Sequence, residues 1–352
     1  MRAFRGFVVL LLVSPTALLH ADTTIRFKMN MKLAEGLPPA AAEQIAKNQK
    51  TQFPRDAVVE LKGDKGYSNT GRTISIMDLT KQQITIVDPE HKLFATVYIK
   101  DFPGVMGAAT ALPSMPPAAQ KFLESIKPDF SMQKTGKTEA ILGIQAEETE
   151  WTISLQMQIP AGSPPGLGTL KPGDTITLMK MVMRIWTPLP AEATRVPALA
   201  EFAAHSWKPL SADPAATMQQ MLPNFPGLSD SLAKMAQEMA KSTGPALKTH
   251  VELYIPVLMQ LGGLMQGRSQ PPILGSYDPS TPFVETDTEV VEISTAPIDA
   301  SIFDVPSDYQ PATLSNLLKA SRPAPPVAPP ITSSIPRPNA TMPPPSSLPG
   351  TP

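Results

Sequence analysis

Residues 24–33 read Thr-Ile-Arg-Phe-Lys-Met-Asn-Met-Lys-Leu. On an extended backbone Ile25, Phe27, Met29, Met31 and Leu33 project to one side, and Arg26, Lys28, Asn30 and Lys32 to the other. A period of two with one wet and one dry face is the habit of antiparallel strands. The same pattern returns in residues 151–159, where Trp151, Ile153, Leu155, Met157 and Ile159 alternate with Thr152, Ser154, Gln156 and Gln158. In 177–186 the dry positions are Met179, Met181, Met183 and Ile185; in 248–255 they are Val251, Leu253 and Ile255.

Turn chemistry joins further strands. Gly63-Asp64-Lys65-Gly66 closes a hairpin between residues 57–62 and a strand starting at Tyr67. Asn69-Thr70-Gly71 leads into residues 73–79, and Asp88-Pro89-Glu90 links residues 83–87 to 92–99. Lys171-Pro172-Gly173-Asp174 opens the Met-rich strand. Gly, Pro and Asn or Asp at these places suit tight connections between neighbours, so the chain reads as a β-meander.

Helical spacing is confined to inserts. Residues 118–127 place Ala119, Phe122, Leu123 and Ile126 on one face. Residues 197–207, a stretch opened by Asp213-Pro214, and 228–242 follow the same rule, with Gly244-Pro245 as a stop. None is long enough to stand alone, and each needs an apolar surface to dock on. The expected fold class is α+β: a strongly curved antiparallel β-sheet, a half-barrel, with helices packed on its concave face. It occupies residues 22–320, with a helical insert near 195–245.

The ends of the chain differ from this body. Arg2 and Arg5 precede an apolar run from Gly6 to Leu19, and Ala21 precedes Asp22. That order predicts a secretory signal peptide over residues 1–21, too short in its apolar part to span a bilayer comfortably. No later run reaches the length of a membrane span, so a periplasmic or secreted location is expected. The chain has 42 Pro among 352 residues, and 12 of them fall in residues 321–352 beside only two charges, Arg322 and Arg337. Such a tail cannot bury a core and is expected to be extended or disordered, a spacer or a tether for an envelope partner.

Composition removes several chemistries. There is no Cys, which excludes disulfides, thiol nucleophiles and thiolate metal sites. The formal net charge is −1 and falls further when Arg2 and Arg5 leave, so no nucleic-acid partner is expected. His91, His205 and His250 are far apart and read as turn, helix and wet-face residues. Ser131-Met132-Gln133-Lys134-Thr135-Gly136 contains both SxxK and KTG, but the two share Lys134, which would need two roles. Glu147, Glu148 and Glu150 read as a solvated stretch. No catalytic residue, cofactor or metal site is expected. The 18 Met have three possible uses: Cu(I) ligation through soft sulfur, core packing, or an adaptable apolar lining. They stand where Leu or Ile would stand, which favours packing over copper.

Several short motifs resemble a family of exported bacterial proteins. They are Gly66-Tyr67, Thr73-Ile74-Ser75-Ile76-Met77-Asp78-Leu79, the run from Gln83 to Lys92, Gly136 to Ile144, Arg184-Ile185-Trp186-Thr187, and Phe303-Asp304-Val305-Pro306-Ser307-Asp308-Tyr309. That family is similar to the LolA-type lipoprotein-carrier superfamily. Where its relatives often place Cys, this chain has Ala146. The resemblance implies a half-barrel with helices closing over an apolar cavity that holds a lipid or lipoprotein. In this chain the lining would be Phe27, Met29, Met31, Trp151, Ile153, Leu155, Met157, Met181, Met183 and Ile185. The alternative is an envelope scaffold in which the same residues are ordinary core and the tail docks a partner.

Overall fold

β1 (Thr23–Leu33) is the seam of the molecule. One of its edges pairs antiparallel with β2 (Asp56–Lys62) and the other with β11 (Val284–Ser294). The computed structural model describes residues 22–37, 42–43, 56–110, 125–159, 173–199, 201–202, 234, 237, 245–256 and 278–320. Residues 1–21, 321–352 and 118–124, His205 and most of the region 195–245 lie outside them.

From β1 the chain makes a first meander through β2, β3 (Lys65–Asn69), β4 (Ile74–Asp78), β5 (Gln83–Asp88) and β6 (Leu93–Tyr98). After helix α1 (Phe102–Thr110), a second meander runs through β7 (Ile126–Ile141), β8 (Ile144–Gln158), β9 (Thr175–Pro188), β10 (Lys248–Tyr254) and β11. A short helix α2 (Pro190–Arg195) follows β9. Pairing of β1 with β11 fuses the two meanders into one large open sheet of 12 strands, ordered β12-β6-β5-β4-β3-β2-β1-β11-β10-β9-β8-β7. All pairings are antiparallel except that of β12 (Gln310–Pro311) with β6.

Two hairpins of the first meander use one device. Asp78 accepts from the Lys81 backbone N–H (2.9 Å) and Asp88 from that of His91 (3.1 Å). The next residues, Gln82 and Lys92, take φ of 54° and 52° and turn the chain back. A side-chain acceptor thereby supplies the turn that the backbone needs. In the hairpin before them the turn falls to Gly63, at φ 58°, which a glycine adopts without steric strain.

This end of the sheet is buried on both faces. Ile76 and Val87 pack against Ile298 and Phe303 of the segment that follows β11. Ile86 and Ala95, on the opposite face, pack against Leu314 and Leu317 of helix α3 (Leu314–Ala320), with Phe102, Val105 and Met106 of α1 beside them. Burial on both sides explains why residues 84–87 are almost continuously apolar. Asp22 pins the start of β1 to the same segment, accepting from the Ile298 backbone N–H (2.6 Å) and from Lys62 Nζ (2.9 Å).

A second buried cluster sits where the meanders meet: Ile25, Val290, Leu247, Trp186, Ile141, Ile144, Ala146 and Leu199. Phe202 reaches it as well, its ring 6.4 Å from that of Phe27. One expectation is corrected here. Ile126 and Lys127 belong to strand β7, paired with Met157 and Gln156, and do not end a helix. Pairing along β8 outweighs a helical period that only a few residues carry.

Both ends of the sheet are blunted. The two-residue β12 covers part of β6. Among the described residues β7 pairs only with β8, and it carries Pro128, Lys127, Lys134, Lys137 and a register break between Lys134 and Thr138. Proline, lysine and bulges are the usual means of discouraging edge-to-edge association.

Candidate functional site

Strand register decides which side chains share a face. Reading across β7, β8, β9, β10, β11 and β1, one rung is Met132, Trp151, Met183, Val251, Thr286 and Met31. The next is Phe130, Ile153, Met181, Leu253, Val284 and Leu33. On the other side of the Trp151 rung run Thr149, Ile185, Thr249, Thr288 and Met29. Leu155 pairs with Met179, and Met157 with Ile176 after a register break. Phe27 shares parity with Met29 and Met31.

All ten residues expected to line a cavity therefore fall on one face of the sheet. Trp151, Ile153, Met157 and Ile185 are buried; Phe27, Met29, Met31, Leu155, Met181 and Met183 are partly buried. From β8 to β1 the Trp151 rung crosses four strand spacings, roughly 19 Å. Strand alternation had revealed each strip, but not Phe130, Met132, Val284 or Thr286, which complete the rungs. Phe130 stands edge-on to Trp151, ring centroids 5.9 Å apart and planes at 74°, and holds the indole in place.

Among the described residues this surface holds one unsatisfied polar atom: Trp151 Nε1 is buried and has no hydrogen-bond partner there. A buried donor left in this state costs about 1–3 kcal/mol. Its cross-strand neighbours on this face, Met132 and Met183, offer only thioether sulfur, a weak acceptor.

The rungs run out at a cleft of about 690 Å³ between the end of β1 and the start of β11, lined by Lys32, Leu33, Ala34, Glu35, Gly36, Asp278, Thr281, Pro282 and Glu285. Leu33, the last member of the Phe130 rung, is part of this lining, beside Lys32 and Glu285 of the opposite face. The volume lies in the range of small-molecule sites.

The opposite face carries charge. Arg184 donates through Nε to Glu150 (3.0 Å) and through Nη1 to Glu252 (3.0 Å). Tyr254 donates its hydroxyl to Glu252 (3.1 Å). His250 places Nδ1 2.7 Å from Asp287 and Nε2 3.2 Å from Glu252. With a carboxylate at each ring nitrogen, only the doubly protonated imidazole donates to both. Burial opposes that charge, but the hydrogen bonds and charges of Asp287 and Glu252 outweigh it and hold the His250 pKa above its ordinary value. Burial likewise opposes charge on Glu252, and Arg184, His250 and Tyr254 overcome it, keeping its pKa low.

One expectation is thereby corrected. Glu148 is buried, only 3% exposed, with Lys137 Nζ 3.4 Å away, and Glu150 belongs to the Arg184 network. They are not a solvated stretch, because Lys137 of β7 and Arg184 of β9 bring cations against them. Lys134, shared by SxxK and KTG, pairs with Glu147 at 2.7 Å. His91 sits in its turn with Nδ1 2.8 Å from Asp88. Among the described residues no group of three or more His, Asp or Glu is placed to hold a metal ion, nor is any helix there long and apolar enough to cross a membrane.

No family model matches the chain, and no curated protein matches it.

The His250 network fixes a pH dependence. A raised folded pKa stabilises while the imidazole is protonated. The contribution is complete below the ordinary value of 6.5 and is lost as pH rises through the folded value. Stability should fall by about 1 kcal/mol between pH 6 and pH 9, allowing for the partial exposure of the pair. Urea titrations across that range are expected to show this slope for the native chain and not for His250→Gln. An identical slope in both would place its origin elsewhere.

Proposed function

We propose that this chain is an exported, non-enzymatic binding protein for a lipid, a lipoprotein or another apolar ligand. The observation that carries the reading is the collection of ten separately encoded apolar residues of β1, β8 and β9, six of them only partly buried, on one face of a sheet in which β11 and β10 lie between β1 and β9. Partly buried Met at 29, 31, 181 and 183 suits varied apolar partners, because the unbranched thioether adapts its shape. The finer architecture belongs to the same reading: a curved half-barrel whose helices cover the apolar concave side. The Phe27–Phe202 contact and the packing of α1 and α3 on Ile86 and Ala95 support it. The cleft beside Leu33 is the mouth through which a chain would slide onto the rungs.

The basic and apolar N-terminus supports export to the periplasm or beyond, and the Pro-rich tail a tether to an envelope partner. One observation favours the scaffold alternative. Trp151, Ile153 and Met157 are already 4%, 1% and 4% exposed, so part of the face is filled by the protein itself. Mass spectrometry of organic extracts of the protein purified from its own host separates the two. The carrier reading expects a stoichiometric acyl lipid; a scaffold yields none above the background of a control protein.

A further inference from the structure

We infer that the open half of the β6 edge, residues 95–99, docks an extended, uncharged peptide of a partner protein, which adds a strand to the sheet. The inference is independent of the apolar-face reading. β12 pairs with β6 only at Leu93 and Phe94. Its hydrogen bonds show which groups of β6 point outward: Gln310 N–H donates to the Lys92 carbonyl (2.9 Å) and Ala312 N–H to that of Phe94 (2.7 Å). Ile99 N–H donates the other way, to the Gln82 carbonyl just before β5 (2.9 Å). Orientation alternates along a strand, so Thr96 and Tyr98 also turn their backbone groups away from β5. The Tyr98 carbonyl is taken by Asp101 N–H at 3.0 Å. Among the described residues no strand lies opposite the N–H and C=O of Thr96 or the N–H of Tyr98. Both residues are exposed, Tyr98 by 52%.

Such an edge is a template for pairing unless something blunts it. At the far end of the sheet β7 carries Pro128, three Lys and a register break. Residues 95–99, Ala-Thr-Val-Tyr-Ile, have no charge, no Pro and no bulge, and four of the five are good strand formers. The size of the edge selects the occupant. Five residues span about 17 Å, and two folded chains meeting along that line alone stay below the roughly 1,200 Å² of a stable dimer. An extended peptide draws its affinity from main-chain hydrogen bonds and needs only a strand's length. Peptide side chains beside Val97 would face α1 and α3, where Met106 and Leu318 are partly buried. Those beside Thr96 and Tyr98 would meet the phenol ring and the Thr85–Thr96 hydroxyl pair (2.9 Å). β-Branched uncharged residues fit both strips, whereas a charge beside Val97 would have to lose water.

The test uses the full exported chain and a fluorescein-labelled peptide of alternating Thr and Val, followed by anisotropy. The same peptide with every amide N-methylated is the control, since it keeps the side chains and loses the donors. The native chain should bind the first saturably, one peptide per chain, and not the second. Thr96→Pro removes an outward N–H and leaves the ladder to β5 in place. It should weaken binding at least tenfold, equivalent to about 1.4 kcal/mol, and Tyr98→Ala should weaken it less. The unfolding midpoint shows whether each variant is folded. A reading that needs no variant is amide exchange in the native chain: the peptide should slow Thr96 and Tyr98 and leave Ala95 and Val97, already paired with β5, unchanged. No binding, equal binding of the N-methylated peptide, no slowing at Thr96, or unchanged binding by folded Thr96→Pro overturns the inference. Sedimentation that shows a dimer lost in Thr96→Pro, with no peptide bound, also overturns it and gives the edge to a second copy of the chain.

Discussion

Replacing Ile25 by Ala should destabilise the protein by about 3 kcal/mol, the usual effect of emptying a fully packed aliphatic site. Ile25 has no exposed surface and stands on the strand that joins the meanders, opposite Val59 on β2 and Ile293 on β11. Its side chain closes the cluster formed with Val290, Leu247 and Leu199. The loss should therefore reach both halves of the sheet. Hydrogen exchange is expected to show β4 and β5 losing protection together with β8 and β9. Arg26→Ala, next along the strand, removes a half-exposed ion pair with Glu292 at 3.1 Å and should change stability by less than about 0.5 kcal/mol. Loss of protection on one side alone would mean that the meanders are independent and that the β1–β11 seam does not bind them.

The strands that the sequence revealed are those with one clean dry face. In β1, β8, β9 and β10 the alternation is carried by large apolar side chains, and a single strand is enough to see it. The turns at Gly63-Asp64, Asn69-Gly71 and Asp88-Glu90 were legible for a different reason, since they depend on local backbone chemistry. β11 was not seen, although it completes the seam. Its dry positions are Val284, Thr286, Thr288 and Val290, and its wet ones include Glu285, Asp287 and Glu289. Two Thr and a row of acids hide the period. The acids make sense only beside Lys32, His250 and Lys28 on the neighbouring strands. β7 was hidden likewise by Pro128 and by a polar outer half. Helix α1 contains Pro103, Gly104 and Gly107, poor helix formers, and is held by packing on the β5–β6 face.

The candidate site divides in the same way. Parity along each strand sets which side of its own backbone each of the ten residues takes. Which of them become neighbours depends on register, a property of pairs of strands. Trp151 was recognisable as a dry-face residue, but the isolation of its N–H depends on Met132 and Met183 being its partners. The Arg184 network was invisible for the same reason. Glu150, Arg184, Glu252, His250 and Asp287 come from four strands and mean nothing until those strands are side by side.

The central claim is that the apolar face binds a ligand, and a titration with a fluorescent fatty acid tests it most directly when made on both faces of the sheet. Met183 is partly buried in the middle of the Trp151 rung, whereas Gln156 points to the opposite face. A carboxylate at 183 would have to lose water against the ligand's chain, and the expected effect is roughly a hundredfold loss of affinity, about 2.7 kcal/mol. Met31→Asp, near the cleft, repeats the test where the neighbouring surface is more open. Circular dichroism and the unfolding midpoint establish that each variant is folded. The account predicts saturable binding of one fatty acid per native chain, its loss in Met183→Asp and Met31→Asp, and no change in Gln156→Asp. A native chain that takes up no fatty acid, or variants that bind it unchanged, would contradict the account and leave these side chains as packing in a scaffold.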